Sequence, residues 1–562
     1  MTGVTTADVV VVGLGWAGSV VATELARAGH RVVVLERGTD LEASDNRQNI
    51  PAERALFYRD RVQRARRETF TLRHDAGYEA LPLRSLGAFL VGEGVGGGGV
   101  LWGGNSPRLS EGTFSARSLL DERATAFAEE SGSLLTDWPI SFDELEPDLQ
   151  RFEELIGVAG TAGVVDGRST GTGNPLEGSR SDEYPLAPEK LDRASTLVAD
   201  AARGLGLHPY DYPTANLHET YTNPYGVTRG PLDSAPGHIA SPQTTVLPAG
   251  LATGNLTIVT GAHVRRLVQR DGRVVSATYV DATGEHEVRA ERFVLSAWAL
   301  NNTRLMLLSG IGTPYDPRTG TGVVGRNHGN HFRGGTTGFF AEGVLDDDSS
   351  SFSAGIALSD FDPHGWRDGE PYVGGALLAA FGPRLRFELG SATPDHLPAW
   401  GPEWAEALAD HRSRAVSIYV QGEVVPQRDR YLDLDPRYTD AWGDPLLRLT
   451  YDVGPNERRM ARDLGNRAVE LLREAGAEHV NAPELLAGRY DTVPYQNSHA
   501  TGGVVAGLDP ATSAVDPTLA SWDAPNLWVV GSSAFPHAGA ANPTVTVGAL
   551  ALRVARTIQG ES

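Results

Sequence analysis

Apolar residues near the amino terminus follow two different spacings in turn. Asp8–Val12 is an almost unbroken apolar run, as expected for a strand buried on both faces of a parallel sheet. From Ser19 to Ala28 the apolar positions recur at helical spacing, and Gly29 ends that pattern with a common C-terminal glycine. A second apolar run follows at Arg31–Leu35. The pattern predicts strand, helix and strand, the repeating unit of a parallel α/β sheet.

Three further segments show clear periodicity. Residues 415–421 alternate apolar and polar side chains and predict a strand. Residues 456–475 predict a helix with an apolar side and an Arg/Glu side. Residues 545–558 predict a second amphipathic helix with Pro543 near its first turn. Asn542 then stands where a helix-capping side chain is common.

A glycine-rich turn joins the first predicted strand to the first helix. Gly13 permits a tight turn, Gly15 lets backbone N–H groups approach a pyrophosphate, and Gly18 lets helix and strand pack closely. The helix N-terminus then faces the phosphates, and Glu36 after the second strand can accept hydrogen bonds from ribose hydroxyls. This order of elements favours a dinucleotide site over a glycine turn without a ligand. We expect the site to include Gly13, Gly15, Trp16, Ala17, Gly18, Glu36 and Arg37.

A second glycine cluster lies between Gly92 and Asn105. It is too rich in glycine for the interior of a strand or helix, and its Val, Leu and Trp residues distinguish it from a Ser/Gly linker. The first motif alone does not choose between FAD and NAD, whereas a loop along a long flat cofactor favours a flavin. We expect cofactor contacts from Gly97, Gly98, Trp102, Gly103 and Asn105.

The composition excludes several kinds of chemistry. The 562 residues include no cysteine, which excludes disulfides, Cys-ligated zinc, iron–sulfur clusters and a cysteine nucleophile. Lys190 is the one lysine, so phosphate-loop or Schiff-base chemistry would depend on a residue in an unpromising Pro-containing stretch. The formal net charge of −22 argues against nucleic acid and anionic membranes as partners. No apolar run approaches the ~18 residues of a membrane span, and Met1–Ala7 is too short for a signal peptide, so we expect a cytoplasmic protein.

The order of motifs along the chain resembles the glucose–methanol–choline (GMC) family of FAD oxidoreductases. The resemblance depends on the Gly13 turn, the loop before Asn105, the segment around His499, and the helix after Asn542. Further matching stretches are Ser309-Gly310-Ile311-Gly312, residues 255–264, and Gly325-Arg326-Asn327 with His331. The family also implies cofactor contacts from Val264, Gly531, Ser532, Asn542, Pro543 and Thr544.

The resemblance implies an α/β protein: a Rossmann-like FAD-binding domain with a second, sheet-based (α+β) substrate domain. We expect a discontinuous FAD-binding domain of residues 1–184, 240–332 and 497–562, and a substrate domain of residues 185–239 and 333–496. Leu101 stands where fungal pyranose oxidases carry a flavin-linked histidine, which implies non-covalent FAD. Val504-Val505 departs from the Arg-Met pair common in the family after the histidine that corresponds to His499.

Within the family the chain looks most like pyranose oxidases, gluconate-type dehydrogenases and bacterial C-glycoside 3-oxidases, through residues 421–423, 429–436 and 442–445. This likeness implies oxidation of a secondary hydroxyl of a sugar or glycoside, at C2 or C3, to a ketone. Gln421 is then a substrate residue by similarity to the sugar-binding glutamine of pyranose oxidases, and Asn497 is a polar candidate beside it. A non-sugar alcohol, or a flavoprotein that oxidises no alcohol, stays open. The electron acceptor, which could be oxygen or a quinone-like compound, also stays open. So does the oligomeric state, a monomer or a homo-oligomer.

The chemistry of alcohol oxidation gives the two carboxyl-terminal residues their expected roles. A proton leaves the hydroxyl and a hydride leaves its carbon for flavin N5, so a base with a pKa near neutrality is needed. His499 is the candidate base and contacts substrate. Asn542 is expected to hold the same hydroxyl and orient the C–H bond.

The other notable histidines receive structural interpretations. His328 and His331 have a spacing open to metal binding, but no cysteine or carboxylate set accompanies them, so we predict no metal site. His331 is expected to pack or hydrogen-bond near the cofactor domain, and His537 to be a neighbour of the site. Aromatic faces suit sugar rings. The candidates are Trp366, Tyr372, Phe381, Trp400, Trp404 and Tyr419.

Overall fold

A computed structural model provides the coordinates. It describes residues 5–39, 62–84, 89, 91–231, 238–345, 355–362, 372–381, 393–483, 486–492 and 498–560. Asn497 and Trp366 lie outside the described residues.

The described residues form strands in three larger sheets and two small hairpins. The strands are β1 (Thr5–Val12), β2 (Val32–Leu35), β3 (Phe70–Arg73), β4 (Leu81–Pro82), β5 (Val164–Val165), β6 (Arg168–Ser169), β7 (Tyr210–Asp211), β8 (Tyr221–Thr222), β9 (Thr228–Arg229), β10 (Leu256–Val259), β11 (His263–Arg270), β12 (Arg273–Asp281), β13 (Gly284–Leu295), β14 (His331–Phe339), β15 (Gly355–Leu358), β16 (Ala376–Phe381), β17 (Ala415–Glu423), β18 (Tyr431–Thr439), β19 (Pro445–Thr450), β20 (His479–Val480) and β21 (Leu527–Val529).

Helices connect and cover these sheets. The α-helices in the described part of the chain are Trp16–Arg27, Glu111–Phe114, Ala116–Leu120, Glu122–Ser131, Phe142–Ile156, Arg193–Gly204, Pro242–Thr245, Leu247–Ala252, Ala299–Ser309, Pro402–His411, Pro455–Glu474 and Thr544–Gln559. Short 3₁₀ turns span Gly97–Val100, Arg412–Arg414 and Ser532–Ala534. None of these helices is long and apolar enough to cross a bilayer.

The seven-stranded sheet holds the predicted strand–helix–strand unit at its centre. β1 runs parallel to both β2 and β13, β10 extends the sheet beyond β2, and β21 adds to β13. Val9, Val10 and Val11 are fully buried, because helices cover the sheet and the strand has no solvent face. The helices Trp16–Arg27 and Thr544–Gln559 pack on each other in this core. The predicted α/β fold with a Rossmann-like unit is confirmed.

The six-stranded sheet has the order β20-β14-β17-β16-β15-β7. The helices Pro455–Glu474 and Arg193–Gly204 cover one face, where Val416, Ile418 and Val420 are buried. Tyr419 and Gln421 alternate with them along β17 and so belong to the opposite face. The predicted strand 415–421 and helix 456–475 correspond to β17 and to Pro455–Glu474.

A four-stranded sheet joins segments from both predicted domains. β3 pairs in parallel with β19, and β4 and β18 lie at the edges. β3 and β4 come from the amino-terminal third, whereas β18 and β19 come from the segment that we assigned to the substrate domain. The domain boundaries therefore stay a prediction, and the two portions of the chain share this sheet.

Candidate active site

The turn from β1 into the helix Trp16–Arg27 contains two glycines, Gly13 and Gly18, whose surroundings leave no room for a side chain. Gly13 has a φ of 92°, and a Cβ there would stand 2.7 Å from the carbonyl oxygen of Ser296. A Cβ on Gly18 would clash with the carbonyl of Gly13. A Cβ on Gly15, in contrast, would meet nothing within 4 Å. No side chain caps this helix, as expected for a helix N-terminus whose first-turn N–H groups serve a pyrophosphate.

Glu36 ties the two glycine-rich segments together at the end of β2. Its carboxylate accepts hydrogen bonds from the backbone nitrogens of Leu14 (2.9 Å), Gly38 (2.8 Å) and Gly94 (3.3 Å). Burial raises the pKa of Glu36 although these N–H groups oppose the shift. Arg37 turns away to Glu68, 2.6 Å from its carboxylate. A contact between Glu36 and ribose hydroxyls stays a prediction.

The second glycine cluster lies directly against the first turn. The Gly96 nitrogen donates to the Leu14 carbonyl at 2.9 Å, and the rings of Trp16 and Trp102 meet edge-to-face with centroids 5.4 Å apart. Cβ atoms on Gly98 or Gly103 would meet nothing within 4 Å. Asn105 forms a backbone bridge with Thr214, next to the substrate portion of the chain.

The remaining predicted cofactor residues border the same end of the sheet. Val264 lies near the start of β11, just after Ala262, whose nitrogen donates to the Glu36 carbonyl at 2.9 Å. Gly531 follows β21 with a φ of 119°, and a Cβ there would also meet nothing within 4 Å. The Ser532 hydroxyl donates to the Ala500 carbonyl at 2.8 Å, which joins this turn to the His499 segment. Backbone N–H donors at an uncapped helix N-terminus, glycines with open space beside them and the acceptor carboxylate of Glu36 together fit an FAD dinucleotide.

His499 and Asn542 are brought together, as predicted. Nε2 of His499 lies 3.4 Å from Nδ2 of Asn542, although 43 positions separate the two residues. Both side chains are partly exposed, so they border open space. Burial, with an added contribution from His331, lowers the pKa of His499 well below its ordinary value, so the imidazole is a neutral proton acceptor at neutral pH.

Asn542 is not a helix cap, contrary to its structural interpretation from the sequence. The last helix begins at Thr544 after Pro543, without a side-chain cap. The Asn542 amide is used instead by two other residues: its Oδ1 accepts from the Tyr212 hydroxyl at 3.0 Å and from Nε2 of Gln421 at 3.2 Å. Gln421 also donates to the Ala540 carbonyl at 2.9 Å. Gln421 therefore lies beside Asn542, with its amide group directed at the Asn542 oxygen, and its contact with substrate stays a prediction.

A second row of residues, His331, Glu423 and His537, is buried behind His499 and Asn542. From the sequence, the two histidines had only structural interpretations and Glu423 had no assigned role. Nδ1 of His331 lies 2.9 Å from Nδ1 of His499, and Nε2 of His331 lies 2.7 Å from the Gly539 carbonyl. Burial lowers the pKa of His331 to about 4. The GMC-like stretch before His331 marked the residue, but contact with a histidine 168 positions away has no local signal.

The buried acid of this row is Glu423. Oε1 of Glu423 accepts from His537 Nδ1 at 2.7 Å and from the Gly539 nitrogen at 2.8 Å. Burial by itself raises the pKa of Glu423, but the charge and hydrogen bond of His537 outweigh it and the pKa lies below its ordinary value. His537 is thus a buried neighbour of the site, as predicted, and it supports the loop that carries Asn542.

Aromatic side chains stand beside the first row. The rings of Tyr212 and Phe381 meet edge-to-face at 5.5 Å, and Tyr419 is 5.9 Å from Phe381. The guanidinium of Arg333 lies 4.4 Å from the Tyr419 ring centroid. Of the other aromatic candidates, Tyr372 belongs to the core on the opposite side of the sheet and Trp400 is 83% exposed.

The absence of a metal site at His328 and His331 remains a prediction. His328 directs Nδ1 to the Thr501 carbonyl at 3.2 Å, and both ring nitrogens of His331 face the partners described above. Asp395, His396 and His479 lie together on the surface, where His479 and Asp395 form a 2.9 Å hydrogen bond.

Comparisons with known proteins agree with this arrangement. The profile of GMC oxidoreductases matches residues 188–333 and 426–551, and that of an NAD(P)-binding Rossmann-like domain matches residues 11–54. A gluconate 2-dehydrogenase flavoprotein of Pantoea cypripedii is 36% identical, over 98% of this chain and 93% of the relative. The chain belongs to the GMC oxidoreductase family. As a GMC oxidoreductase, it is an FAD enzyme acting on alcohol- or sugar-type substrates.

Other GMC relatives differ in their substrates. A 2-methyl-1,2-propanediol dehydrogenase of Mycolicibacterium austroafricanum is 26% identical, over 97% of this chain and 94% of the relative. A C-glycoside 3-oxidase of Microbacterium trichothecenolyticum is 26% identical, over 89% and 81%. Among solved structures, a formate oxidase variant of Aspergillus oryzae RIB40 matches with a TM-score of 0.64 at 17% identity, covering 99% of this chain and 98% of that chain. This last likeness supports the fold.

Proposed function

We propose that this GMC oxidoreductase oxidises a secondary hydroxyl of a sugar or glycoside, at C2 or C3, to a ketone. The observation that carries the proposal is the pair formed by Nε2 of His499 and Nδ2 of Asn542, which are 3.4 Å apart on partly exposed side chains, with Tyr212 and Gln421 bound to the Asn542 amide. FAD, when bound, supplies the hydride acceptor.

The two atoms of this pair can bind the two parts of one substrate hydroxyl, its proton and its oxygen. Nε2 of His499 accepts the hydroxyl proton because the imidazole is held neutral. Nδ2 of Asn542 donates to the hydroxyl oxygen, and its own carbonyl is fixed by Tyr212 and Gln421. The hydroxyl is therefore hydrogen-bonded by both His499 and Asn542, which fixes the direction of the adjacent C–H bond.

Two observations favour a polyhydroxylated substrate. The half-buried ring of Tyr419, which packs beside the buried Phe381, offers apolar contact for the C–H face of a sugar ring, and Arg333 adds donors beside it. The named relatives that act on gluconate and on a C-glycoside support the same class. Tyr212, Gln421 and, by the sequence prediction, Asn497 complete the polar side.

The second candidate is a non-sugar alcohol, which the diol dehydrogenase among the relatives favours. The experiment that separates them is anaerobic reduction of the flavin in the purified holoprotein. One panel holds hexoses, gluconate, O-glycosides and C-glycosides; the other holds 1,2-diols, aryl alcohols and sterols. NMR of the product then locates the ketone. Reduction by the second panel alone would refute the sugar assignment, and reduction by neither would refute alcohol oxidation.

A matched pair of variants tests the base. His499→Ala is expected to keep its flavin absorbance and lose at least ~10² in the rate of flavin reduction. The exposed His218, replaced by Ala, is the control and should leave that rate unchanged. Normal reduction by His499→Ala would remove this histidine from the mechanism.

A further inference from the structure

In the hydrogen bonds behind His499, the donor and the acceptor can each be assigned. The assignment starts from a backbone carbonyl. A carbonyl accepts and cannot donate, so Nε2 of His331, 2.7 Å from the Gly539 oxygen, carries a proton. The same glycine is held from its other side, because its nitrogen donates to Glu423 at 2.8 Å. The acceptor at this end is therefore fixed in place.

The same assignment extends to the imidazole rings of His331 and His499. His331 is buried and neutral, so with its proton on Nε2 its Nδ1 is an acceptor. Nδ1 of His499 lies 2.9 Å from that atom and must donate the proton between them. A neutral His499 with its proton on Nδ1 presents a lone pair at Nε2, the atom that faces Asn542.

The other end of the chain of hydrogen bonds leads independently to the same result. Oδ1 of Asn542 accepts from Tyr212 and from Gln421, which assigns the opposite side of the amide as Nδ2. Nδ2 is a donor, so the atom that it faces, Nε2 of His499, has to be an acceptor. The carbonyl at one end and the two donors at the other agree on a single tautomer.

We propose that His331 is a positioning residue that selects the Nδ1–H tautomer of His499 and so presents the Nε2 lone pair to the substrate hydroxyl. The inference rests on the proposed function for its purpose, though not for its geometry. When the O–H bond breaks, the proton passes to Nε2; FAD, when bound, would supply the acceptor for the hydride from the carbon. The Nδ1–H bond of His499 is kept throughout and still donates to His331, which orients the newly charged ring.

Two substitutions separate the two nitrogens of His331. In His331→Asn the amide oxygen can replace Nδ1 as the acceptor for His499, whereas in His331→Gln the longer amide can replace Nε2 as the donor to Gly539. We expect His331→Asn to stay within about threefold of the wild-type rate of anaerobic flavin reduction. His331→Gln is expected to lose at least ~10-fold at unchanged flavin content, because the wrong tautomer of a catalytic histidine is ineffective.

Nitrogen NMR of the holoprotein labelled with [¹⁵N]histidine measures the tautomer directly and does not depend on either variant folding. The His499 signals, identified by their loss in His499→Ala, should be pyrrole-type for Nδ1 and pyridine-type for Nε2. The reverse assignment overturns the proposal, as does a His331→Gln variant that reduces as fast as wild type. If His499→Ala itself reduces normally, the proposed base fails, while the NMR result still decides the tautomer.

Discussion

Oε1 of Glu423 lies 2.7 Å from Nδ1 of His537, and both side chains are buried under the loop that carries Asn542. The same carboxylate oxygen holds the Gly539 nitrogen, and Gln421, two residues earlier on β17, holds the Ala540 carbonyl. Strand β14 adds His331 opposite Glu423. Two neighbouring strands of the six-stranded sheet thus fix a loop from the carboxyl-terminal segment, and with it the amide of Asn542.

The buried Glu423–His537 pair is expected to stabilise the site. Glu423→Gln should lower the free energy of unfolding by about 2 kcal/mol, because the substitution removes the charge from a buried acceptor of hydrogen bonds from His537 and the Gly539 nitrogen. Flavin reduction should slow as well, since the Asn542 loop loses its anchor. Denaturant unfolding of the holoprotein measures the first effect. Glu478→Gln, at an exposed position just before β20, is the control, and equal losses in the two variants would contradict the assignment.

The hydrogen-bond donor of the Gln421 amide is expected to affect the rate of flavin reduction more than the size of the side chain does. In Gln421→Glu the side chain presents oxygens to the Ala540 carbonyl and to Oδ1 of Asn542, both acceptors, so the Asn542 amide should rotate away from His499. We expect the rate of flavin reduction to fall by at least ~10-fold, equivalent to one unsatisfied buried group. Tyr212→Phe should cost less, because Gln421 still donates to Oδ1. Stopped-flow reduction compares the two, and the opposite ranking would contradict this division of roles.

Local pattern was enough to predict the dinucleotide-binding unit. The run at Val9–Val12, the glycines that follow and Glu36 all belong to one strand–helix–strand unit within the first 36 residues, so their spacing was enough to predict that unit. The element ends were less well predicted: the first helix begins at Trp16, three residues before its predicted start at Ser19. Its first turn has no side-chain cap to mark it in the sequence.

The second row of the site could not be predicted in the same way. His331 and His499 are 168 positions apart, and Glu423 and His537 are 114 apart. A strand pattern indicates that Glu423 has a partner across the sheet, but not that a loop from the carboxyl terminus will lie on it. The capping interpretation of Asn542 was wrong for a related reason, since Tyr212 and Gln421 recruit its amide through tertiary contacts.

The glycines of the cofactor groove give a test that is independent of catalysis. Gly13→Ala should reduce the FAD content of the purified protein, because its φ of 92° and the nearby Ser296 oxygen both oppose a side chain. Gly204→Ala is a matched control: this glycine lies in the helix Arg193–Gly204, where a Cβ meets nothing within 4 Å. Flavin absorbance per protein is the measurement. Full FAD content in Gly13→Ala would contradict the assignment of the groove.

Buried neutral histidines predict a specific dependence of stability on pH. The pKa values of His328 and His331 are lowered by burial to about 4, against about 6.5 in an unfolded chain. Between these values the unfolded chain binds more protons than the native protein, so the free energy of unfolding falls as the pH falls from about 6.5 to about 4. Each histidine contributes about 3 kcal/mol to that loss. The lowered pKa of Glu423 adds a loss only at lower pH, as its carboxylate protonates.

The measurement is denaturant unfolding of the holoprotein, with excess FAD, at pH 7 and pH 5. We expect a clear loss of stability at pH 5, and a smaller loss in His328→Asn, whose replacement does not titrate. His328 is suited to this test because its Nδ1 contacts the Thr501 carbonyl and it takes no part in the hydrogen bonds between His331 and His499. His218→Asn, at an exposed position, should retain the full pH dependence. Equal stability of the wild type at the two pH values would show that these histidines are protonated in the native protein.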